Sequence, residues 1–258
     1  MDIGDFAMDM FSLRGRNAIV TGGNTGLGRA FSLALAKAGA GIFAASVVDD
    51  GGATRELIEA EGVHYELMQA DITEAGVPKR MVDACVERLG SLDILVNSAG
   101  VCPLAPVLEF GRPQWDATVA VNLTAAFEMS FEAAQRMVPQ RSGKIINICS
   151  LFSFLGGERS PAYAAGKHGL AGLTKAYCDE LARYGIQVNG IAPGYYATAM
   201  TTTTRDDPET SKRVLDHVPA GRWGDPVDLM GTVVFLASRA SDYVNGHILV
   251  VDGGYLVR

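Results

Sequence analysis

The chain has 258 residues, 48% of them hydrophobic, which fits one large α/β domain or two small ones with a sizeable core. Its 22 basic and 29 acidic side chains give a net charge of −7, which argues against nucleic acid and anionic membranes as partners. The four cysteines form no CxxC pair and the chain has only four histidines, so we expect no metal site. We predict a cytoplasmic protein, because free thiols suit a reducing compartment. In addition, Asp2 and Asp5 stand where a signal peptide would carry basic residues, and no apolar run reaches the ~18 residues of a membrane-spanning helix.

Segments typical of strands and helices alternate along the sequence. The apolar run 17–21 predicts the first buried strand, and the Ala/Leu-rich segment 27–38 predicts the first helix. By the same patterns we predict strands at about 41–48, 64–69, 93–96, 144–149, 186–192 and 247–251, and helices at about 53–61, 74–89, 112–137, 161–184 and 225–238. This alternation predicts an α/β fold: a single doubly wound Rossmann-type domain over residues 1–258, with a seven-stranded parallel sheet and helices on both faces.

Turn-forming and helix-capping residues predict the structure of three further stretches. Residues 139–143, which begin with a proline and end with a glycine, predict a turn. Segment 195–222 is the least regular, with four consecutive threonines and a charged, proline-broken remainder, and a loop of this length is usually functional, often a lid. Asp225 followed by Pro226 predicts the start of the last helix.

The sequence TGGNTGLG at 21–28 joins the first strand to the first helix. Glycines let the backbone turn tightly and approach a pyrophosphate, and the N-terminus of the following helix offers N–H groups and a positive dipole end. A glycine-rich turn that binds no ligand has a similar sequence, but the strand and helix on either side favour a dinucleotide-binding turn.

Tyr163 and Lys167 are four residues apart in a predicted helix, which places both side chains on one face, about one turn apart. Free tyrosine titrates near ~10, and a nearby positive charge lowers that pKa. A pKa of about 7.5 requires the site to favour the phenolate by roughly 3.4 kcal/mol, which one lysine and the positive charge of an oxidised nicotinamide would supply together. The pair therefore suits acid–base chemistry, although exposed Tyr–Lys pairs without any function are also common.

Five segments share one position in the predicted fold, because each follows a predicted strand. They lie at about 21–28, 71, 97–100, 150 and 193–198. Ligands of open parallel sheets bind at the carboxyl ends of the strands, so this coincidence predicts one shared site.

These motifs resemble those of the short-chain dehydrogenases/reductases, from about residue 12 to the end of the chain. The turn at 21–28 is similar to the family's TGxxxGxG, and NSAG at 97–100 is similar to its NNAG, with one asparagine replaced by serine. Segment 193–198 resembles the one that holds the nicotinamide carboxamide. The residues that match the catalytic tetrad are Asn122, Ser150, Tyr163 and Lys167.

Segments 143–167, 191–198 and 219–246 resemble one subgroup, the 2-dehydro-3-deoxy-D-gluconate 5-dehydrogenases, also called 2-deoxy-D-gluconate 3-dehydrogenases, which overlaps the gluconate 5-dehydrogenases. The resemblance implies an NAD-dependent oxidoreductase that interconverts the secondary alcohol and the ketone of a sugar acid by hydride transfer. A gluconate 5-dehydrogenase or other polyol dehydrogenase is the alternative. A non-catalytic dinucleotide-binding regulator is a rival from another class, but such proteins would be expected to lose the tyrosine or the lysine.

The resemblance also implies a role for each residue. Tyr163 takes the proton of the substrate hydroxyl, and Lys167 lowers its pKa and holds the nicotinamide ribose. Ser150 bonds the reacting oxygen, and Asn122 holds a water that links the lysine to solvent. The resemblance places Asp71 at the adenine. The residues that it implies for cofactor binding are Gly22, Asn24, Thr25, Gly26, Leu27, Gly28, Ser46, Asp71, Ile72, Asn97, Ala99, Gly100, Tyr163, Lys167, Pro193, Gly194, Tyr196 and Thr198.

The end of the second strand bears on the choice of cofactor. NAD enzymes usually place an aspartate there to bond the ribose 2′-hydroxyl, whereas the aligned residue here is Ser46. No Arg or Lys directly follows it or lies inside the glycine turn before Gly28, and Asp49 and Asp50 would repel a 2′-phosphate. We therefore expect NAD, with NADP as the alternative.

The expected substrate contacts are Ser150, Arg159 and Tyr163. Arg159 lies four residues before Tyr163, in the turn that follows Ser150, and a guanidinium binds a carboxylate in bidentate fashion. The alternative is a solvated arginine paired with Glu158 or another acid. In that case the anchor would be Arg222 or another part of the 195–222 loop.

The resemblance further implies a homotetramer. The predicted long helices 112–137 and 161–184 are candidates for pairwise packing across two-fold axes, and the C-terminal residues 255–258 for a second interface.

Overall fold

The computed structural model describes residues 6–258, so Asp2 and Asp5 lie outside the described residues. The strands are β1 Asn17–Thr21, β2 Gly41–Ser46, β3 Tyr65–Gln69, β4 Ile94–Asn97, β5 Gly143–Ile148, β6 Ile186–Pro193 and β7 Ile248–Val251. They form one parallel sheet of seven strands in the order β3-β2-β1-β4-β5-β6-β7. The predicted doubly wound sheet is confirmed.

Helices follow the strands and cover both faces of the sheet. They are α1 Gly26–Lys37, α2 Ala53–Glu59, α3 Val77–Leu89, α4 Arg112–Val119, α5 Ala125–Gln140, α6 Pro161–Leu181, α7 Thr202–Asp206, α8 Pro208–His217 and α9 Met230–Ala237. Of the helices within residues 6–258, none combines the length and the apolar character that crossing a membrane requires.

Neighbouring residues of each strand bury against opposite layers of helices. On β1, Val20 belongs to one core together with Phe31 of α1, whereas Ile19 belongs to a second core together with Met81 of α3. All four side chains are fully buried. Because successive side chains of a strand point to opposite faces, a sheet covered on both sides requires continuous apolar runs. This is why those runs predicted the strands.

The predicted helix 112–137 is interrupted. A π-helical turn, Ala120–Thr124, separates α4 from α5. In addition, α5 continues through Pro139, so the turn predicted over 139–143 begins later than expected. Pro139 lies in the last helical turn, and the helix closes only at Arg141, which adopts the left-handed conformation with φ 54°.

The prediction of an irregular loop over 195–222 is wrong, because α7 and α8 occupy much of it. Asp207 caps α8 by accepting a hydrogen bond from the N–H of Thr210 (2.7 Å), and Pro208 takes the first helical position. The same Asp-Pro start was recognised at Asp225. The threonine run masked it here, since β-branched residues have a lower helix propensity.

Candidate active site

The carboxyl ends of β1 and β4 are joined by the residue that opens the glycine-rich turn. The hydroxyl of Thr21 accepts hydrogen bonds from the N–H groups of Ser98 (2.9 Å) and Ala99 (3.0 Å). Gly22 has a φ of +66°, and a Cβ there would lie 3.3 Å from the Cα of Ala99. Only glycine combines this conformation with this close approach. The turn and the loop after β4 therefore border the same edge of the sheet.

The rest of the glycine turn forms a cradle at the start of α1. A Cβ on Gly28 would lie 2.1 Å from the carbonyl oxygen of Gly22, so glycine is needed for α1 to pack against the turn. Gly26 opens the helix with a φ of +46°, between Thr25 and Leu27. The first N–H groups of a helix have no intrahelical partner, and Thr25 and Gly26, which lead to them, are exposed. This arrangement fits a pyrophosphate.

Asn24 connects the turn to the residues after β2. Its Nδ2 donates to the carbonyl oxygen of Val48 (2.7 Å), while its buried Oδ1 has no hydrogen-bond partner among the described residues. The hydroxyl of Ser46 accepts from the N–H of Val48 (3.1 Å). An orphaned acceptor and a hydroxyl thus lie where the adenosine ribose is expected.

Asp71 and Ile72 follow β3 and differ in exposure. Asp71 is exposed, and its Oδ1 accepts from the N–H (2.8 Å) and the hydroxyl (2.7 Å) of Thr73. Ile72 is buried in the core that includes α3. The carboxylate of Asp71 therefore lies at the expected edge, whereas the side chain of Ile72 is part of the packing beneath it.

Asn97 belongs to a buried polar network. Its Nδ2 donates to Oδ1 of Asn147 (2.8 Å) and to the hydroxyl of Ser130 (3.0 Å). Asn147 in turn donates to the hydroxyl of Thr174 (2.9 Å). The side chain predicted to contact the cofactor therefore ties β4 and β5 to α5 and α6.

Asn122 lies in the π-helical turn and is held by the loop after β4. Its Oδ1 accepts from the N–H of Val101 (2.9 Å), and its Nδ2 donates to the carbonyl oxygen of the same residue (2.8 Å). A Cβ on Gly100 would lie 3.1 Å from Oδ1 of Asn122 and 3.8 Å from Nζ of Lys167. Glycine at 100 therefore keeps open the space between the amide and the lysine.

Ser150, Tyr163 and Lys167 converge at the end of β5. The hydroxyl of Ser150 lies close enough to the phenol of Tyr163 to lower its pKa, and Nζ of Lys167 lies 5.4 Å from the centroid of the Tyr163 ring. Lys167 donates to the carbonyl oxygen of Ile148 (2.6 Å). Phe152 packs edge-on against the Tyr163 ring with centroids 5.9 Å apart. The three side chains therefore lie together at the end of β5.

Burial sets the protonation of this group. It raises the pKa of Tyr163 well above its usual value, against the smaller opposing effect of the Ser150 hydrogen bond. Burial also lowers the pKa of Lys167 to about 8. In the protein without its cofactor, desolvation of the phenolate dominates the pKa of Tyr163. The pKa near 7.5 expected with an oxidised nicotinamide bound beside the lysine stays a prediction.

The segment after β6 closes against the edge strand. Pro193 ends β6, and the N–H of Gly194 donates to the carbonyl oxygen of Val251 (3.0 Å). The hydroxyl of the buried Tyr196 donates to the same oxygen (3.0 Å), so its side chain binds β7. Thr198 begins the helical segment that leads into α7.

An open cleft of about 640 Å³ lies beside Gly100, at the loop after β4. It is lined by 100–103, by Gln114 and Thr118 on α4, and by Met200 ahead of α7. Gly100 is shared between the cleft and the space beside Lys167, which connects the two. Within residues 6–258, no three His, Cys, Asp or Glu side chains are grouped closely enough to hold a metal ion.

Arg159 is exposed in the turn before α6 and adopts a left-handed conformation with φ 63°. Its carbonyl oxygen accepts from the N–H of Ala105 (2.9 Å), which ties this turn to the loop after β4. Among the described residues no carboxylate lies within 4.0 Å of its guanidinium, and Glu158 pairs with Arg213 instead (3.5 Å). The alternative anchor, Arg222, forms a bidentate pair with Asp228 (2.7 and 3.0 Å).

A family model described as enoyl-(acyl carrier protein) reductase matches residues 22–256, a span that contains nearly the whole site. The chain belongs to the short-chain dehydrogenase/reductase family. It is thus an oxidoreductase of that family, and the predicted enzyme class is confirmed.

This short-chain dehydrogenase/reductase is similar to individual proteins whose names indicate a substrate class. It is 67% identical to the uncharacterized oxidoreductase YgcW of Escherichia coli strain K12, over 98% of this chain and 97% of the relative. It is 46% identical to the 2-dehydro-3-deoxy-D-gluconate 5-dehydrogenase of Bacillus subtilis strain 168, over 97% and 98%. The structure of a gluconate 5-dehydrogenase from Burkholderia cenocepacia in complex with NADP and tartrate has a TM-score of 0.93 at 40% identity, covering 98% of this chain and 100% of that one. The predicted similarity to sugar-acid dehydrogenases is confirmed.

Sequence reasoning missed one charged residue of this oxidoreductase near the end of β2. Arg29 directly follows the glycine turn and pairs with Asp50 (3.0 Å). The prediction of NAD considered cations only up to Gly28, and Arg29 is the next residue. The sequence offered the residue, but its partner lies 21 positions away, and only the fold joins them.

Proposed function

We propose that this short-chain dehydrogenase/reductase interconverts the secondary alcohol and the ketone of a sugar acid, in the manner of 2-dehydro-3-deoxy-D-gluconate 5-dehydrogenase, with NAD as the preferred cofactor. The convergence of Ser150, Tyr163 and Lys167 beside the glycine turn and the open cleft carries this proposal. The names of its relatives support sugar acids as the substrate class. Gluconate 5-dehydrogenase activity is the second candidate, since a relative of that name shares the fold over nearly its full length.

The chemistry assigned to the side chains follows from their distances. The nicotinamide cofactor, when bound, accepts or supplies the hydride. Tyr163 exchanges a proton with the reacting oxygen of the substrate, and Ser150 hydrogen-bonds that oxygen. Because burial raises the pKa of Tyr163, the phenolate requires nearby positive charge. Lys167, with a pKa of about 8, is mostly protonated at neutral pH and contributes that charge beside the ring.

Asn122 is proposed to hold a water that links Lys167 to solvent. Two bonds to Val101 leave its amide one N–H and acceptor capacity on Oδ1. Gly100 leaves the space between Asn122 and Lys167 uncovered by a side chain. A water there would reach both groups.

Arg159 is proposed as the anchor for the substrate carboxylate. The guanidinium has no carboxylate partner among residues 6–258, so a bound carboxylate need not displace an existing ion pair. The bond between Ala105 and Arg159 holds this turn beside the loop whose first residues line the cleft. In a chain of net charge −7, a local cation favours an anionic substrate.

NAD is proposed as the preferred dinucleotide on grounds of charge. Ser46 is a neutral hydroxyl at the end of β2, and Asp49 lies exposed just beyond it. Such a surface accepts a ribose hydroxyl more readily than a phosphate dianion. NADP is the second candidate, because the Burkholderia relative was solved with NADP bound.

A homotetramer is proposed from the outer faces of α5 and α6. Phe127 and Phe131 on α5 are 45% and 47% exposed. An open apolar depression of about 360 Å³ lies between the two helices, bordered by Leu123, Gly169 and Leu173 among others. Adjacent exposed aromatic and small residues suit packing against a second copy. A cytoplasmic location and a second interface at 255–258 stay predictions.

A substrate panel tests the proposed function. The purified protein is given 2-dehydro-3-deoxy-D-gluconate, gluconate, 5-ketogluconate and uncharged polyols with each dinucleotide, and NADH or NADPH absorbance is followed. We expect kcat/KM for a sugar acid to exceed that for the best polyol by at least about tenfold. A better polyol would contradict the substrate class. Dinucleotide binding without turnover of any compound would favour a regulator instead.

A further inference from the structure

The segment after β2 is fastened to the glycine-rich turn by one charged side chain. Arg29, in the first turn of α1, donates from Nε to the carbonyl oxygen of Asn24 (2.9 Å). Its Nη2 lies 3.0 Å from Oδ2 of Asp50, just before α2. The side chain of Arg29 is 37% exposed, whereas that of Asp50 is only 7% exposed. The cation is therefore reachable from solvent and its partner is not.

Asp50 is held as a carboxylate by several donors. The N–H and the hydroxyl of Thr54 both donate to its Oδ2, and the N–H of Gly52 donates to its Oδ1. Burial alone would raise the pKa of Asp50, but these hydrogen bonds and the charge of Arg29 together hold it below its usual value. The carboxylate thus stays ionised across the neutral range and continuously balances the charge of the guanidinium.

This cluster lies directly beside the expected ribose site. Asn24, whose carbonyl oxygen binds Arg29, also donates from its side chain to Val48 (2.7 Å). Val48 in turn binds the hydroxyl of Ser46, where the ribose 2′-hydroxyl is expected. A guanidinium is the side chain best suited to a phosphate, but one that is already paired with a buried carboxylate presents no net charge to it.

We propose that Asp50 sets the preference for NAD over NADP by sequestering Arg29, a cation beside the expected site of the 2′-group. The inference rests on the proposed function in assuming a nicotinamide dinucleotide and a preference for NAD, and not in the identity of the sugar acid. Asp50 is then a specificity residue that acts through Arg29, and Arg29 is a latent phosphate ligand. Neither residue is at the end of β2, where the choice between the two cofactors is expected to be made.

Binding of NAD⁺ and NADP⁺, measured by calorimetry without any sugar acid, tests the proposal. Asp50→Asn keeps the shape and the acceptor for Gly52 while removing the charge, so it should improve NADP⁺ affinity relative to NAD⁺ by on the order of tenfold. That gain should shrink as salt is raised. Arg29→Gln should change the ratio in the opposite direction, weakening NADP⁺ several-fold with NAD⁺ nearly unchanged.

Glu61→Gln is the matched control, because Glu61 pairs with Lys37 at the far end of α1. It should leave both affinities as in the wild type. Shifts of the two test variants in the same direction, or an unchanged ratio, would show that the pair only braces the turn and would overturn the proposal. If Asp50→Asn does not fold, Arg29→Gln alone decides by the same criterion. If the proposed sugar acid is not the substrate, these binding results still hold, because no sugar acid is present. If the wild-type protein binds neither dinucleotide, the proposed function itself is refuted.

Discussion

Replacing Tyr163 with phenylalanine removes one oxygen atom and leaves the ring. The edge-on contact with Phe152, at 5.9 Å between centroids, is retained, so the local packing should survive. The interaction with Ser150 that is lost is worth about 1 kcal/mol of stability. Proton transfer by a positioned side chain contributes about 10²–10⁴-fold to turnover, which is about 2.7–5.4 kcal/mol of barrier. We therefore expect kcat to fall by that factor while the Kd for NADH stays close to wild type.

Turnover is measured by NADH absorbance, and NADH binding by fluorescence titration in the same buffer. Tyr65→Phe provides the matched control, because it deletes a buried phenol hydroxyl that has no partner among residues 6–258, away from the cleft. Its kcat should equal that of the wild type. If Tyr163→Phe kept more than about a tenth of kcat, the acid–base role would be refuted. A parallel loss of NADH binding would instead indicate damage to the site.

The remaining predictions concern the substrate, the cofactor, the assembly and the lysine. Arg159→Ala should lower kcat/KM for the acid substrate by about tenfold or more, about 1.4 kcal/mol, and change an uncharged analogue little; equal losses would indicate a structural role of the turn. The ratio of kcat/KM values should favour NAD over NADP, and a clear NADP preference would contradict the argument from Ser46. Sedimentation at micromolar concentration should show a tetramer, and a monomer would refute it. Because burial lowers the pKa of Lys167 to about 8, the unfolded chain holds this proton between pH 8 and 10.5 after the folded state has released it. The free energy of unfolding should therefore rise through that window, and Lys167→Met should flatten the rise, as followed by denaturant titration at each pH.

Local patterns predicted those features that depend on local chemistry. Continuous apolar runs predicted strands such as β1 and β2, whose residues are buried on both faces of the sheet. The glycine turn was recognisable because Gly22 and Gly28 meet over six positions of sequence. At Asp207 a readable local signal was overlooked, since the threonines before it suggested an irregular chain.

Other features depend on contacts that the sequence does not display. The π-helical turn depends on the bonds between Asn122 and Val101, which are 21 positions apart. Burial raises the pKa of Tyr163 in the protein without its cofactor, and no spacing rule contains that burial. The pairing of Arg29 with Asp50 likewise exists only after α1 and the segment after β2 come together.

The π-helical turn imposes a constraint on length. A regular helix advances about 100° per residue, and a π-helical turn accommodates one extra residue within that winding. It lets α4 direct Gln114 and Thr118 to the cleft while α5 directs Met129 and Met137 to the sheet. Deleting one residue from Ala120–Thr124 would therefore restore regular winding and leave both methionines on the sheet, but it would remove the wider turn that holds Asn122 against Val101. A single-residue deletion here disturbs the candidate active site while the packing of α5 on the sheet is kept.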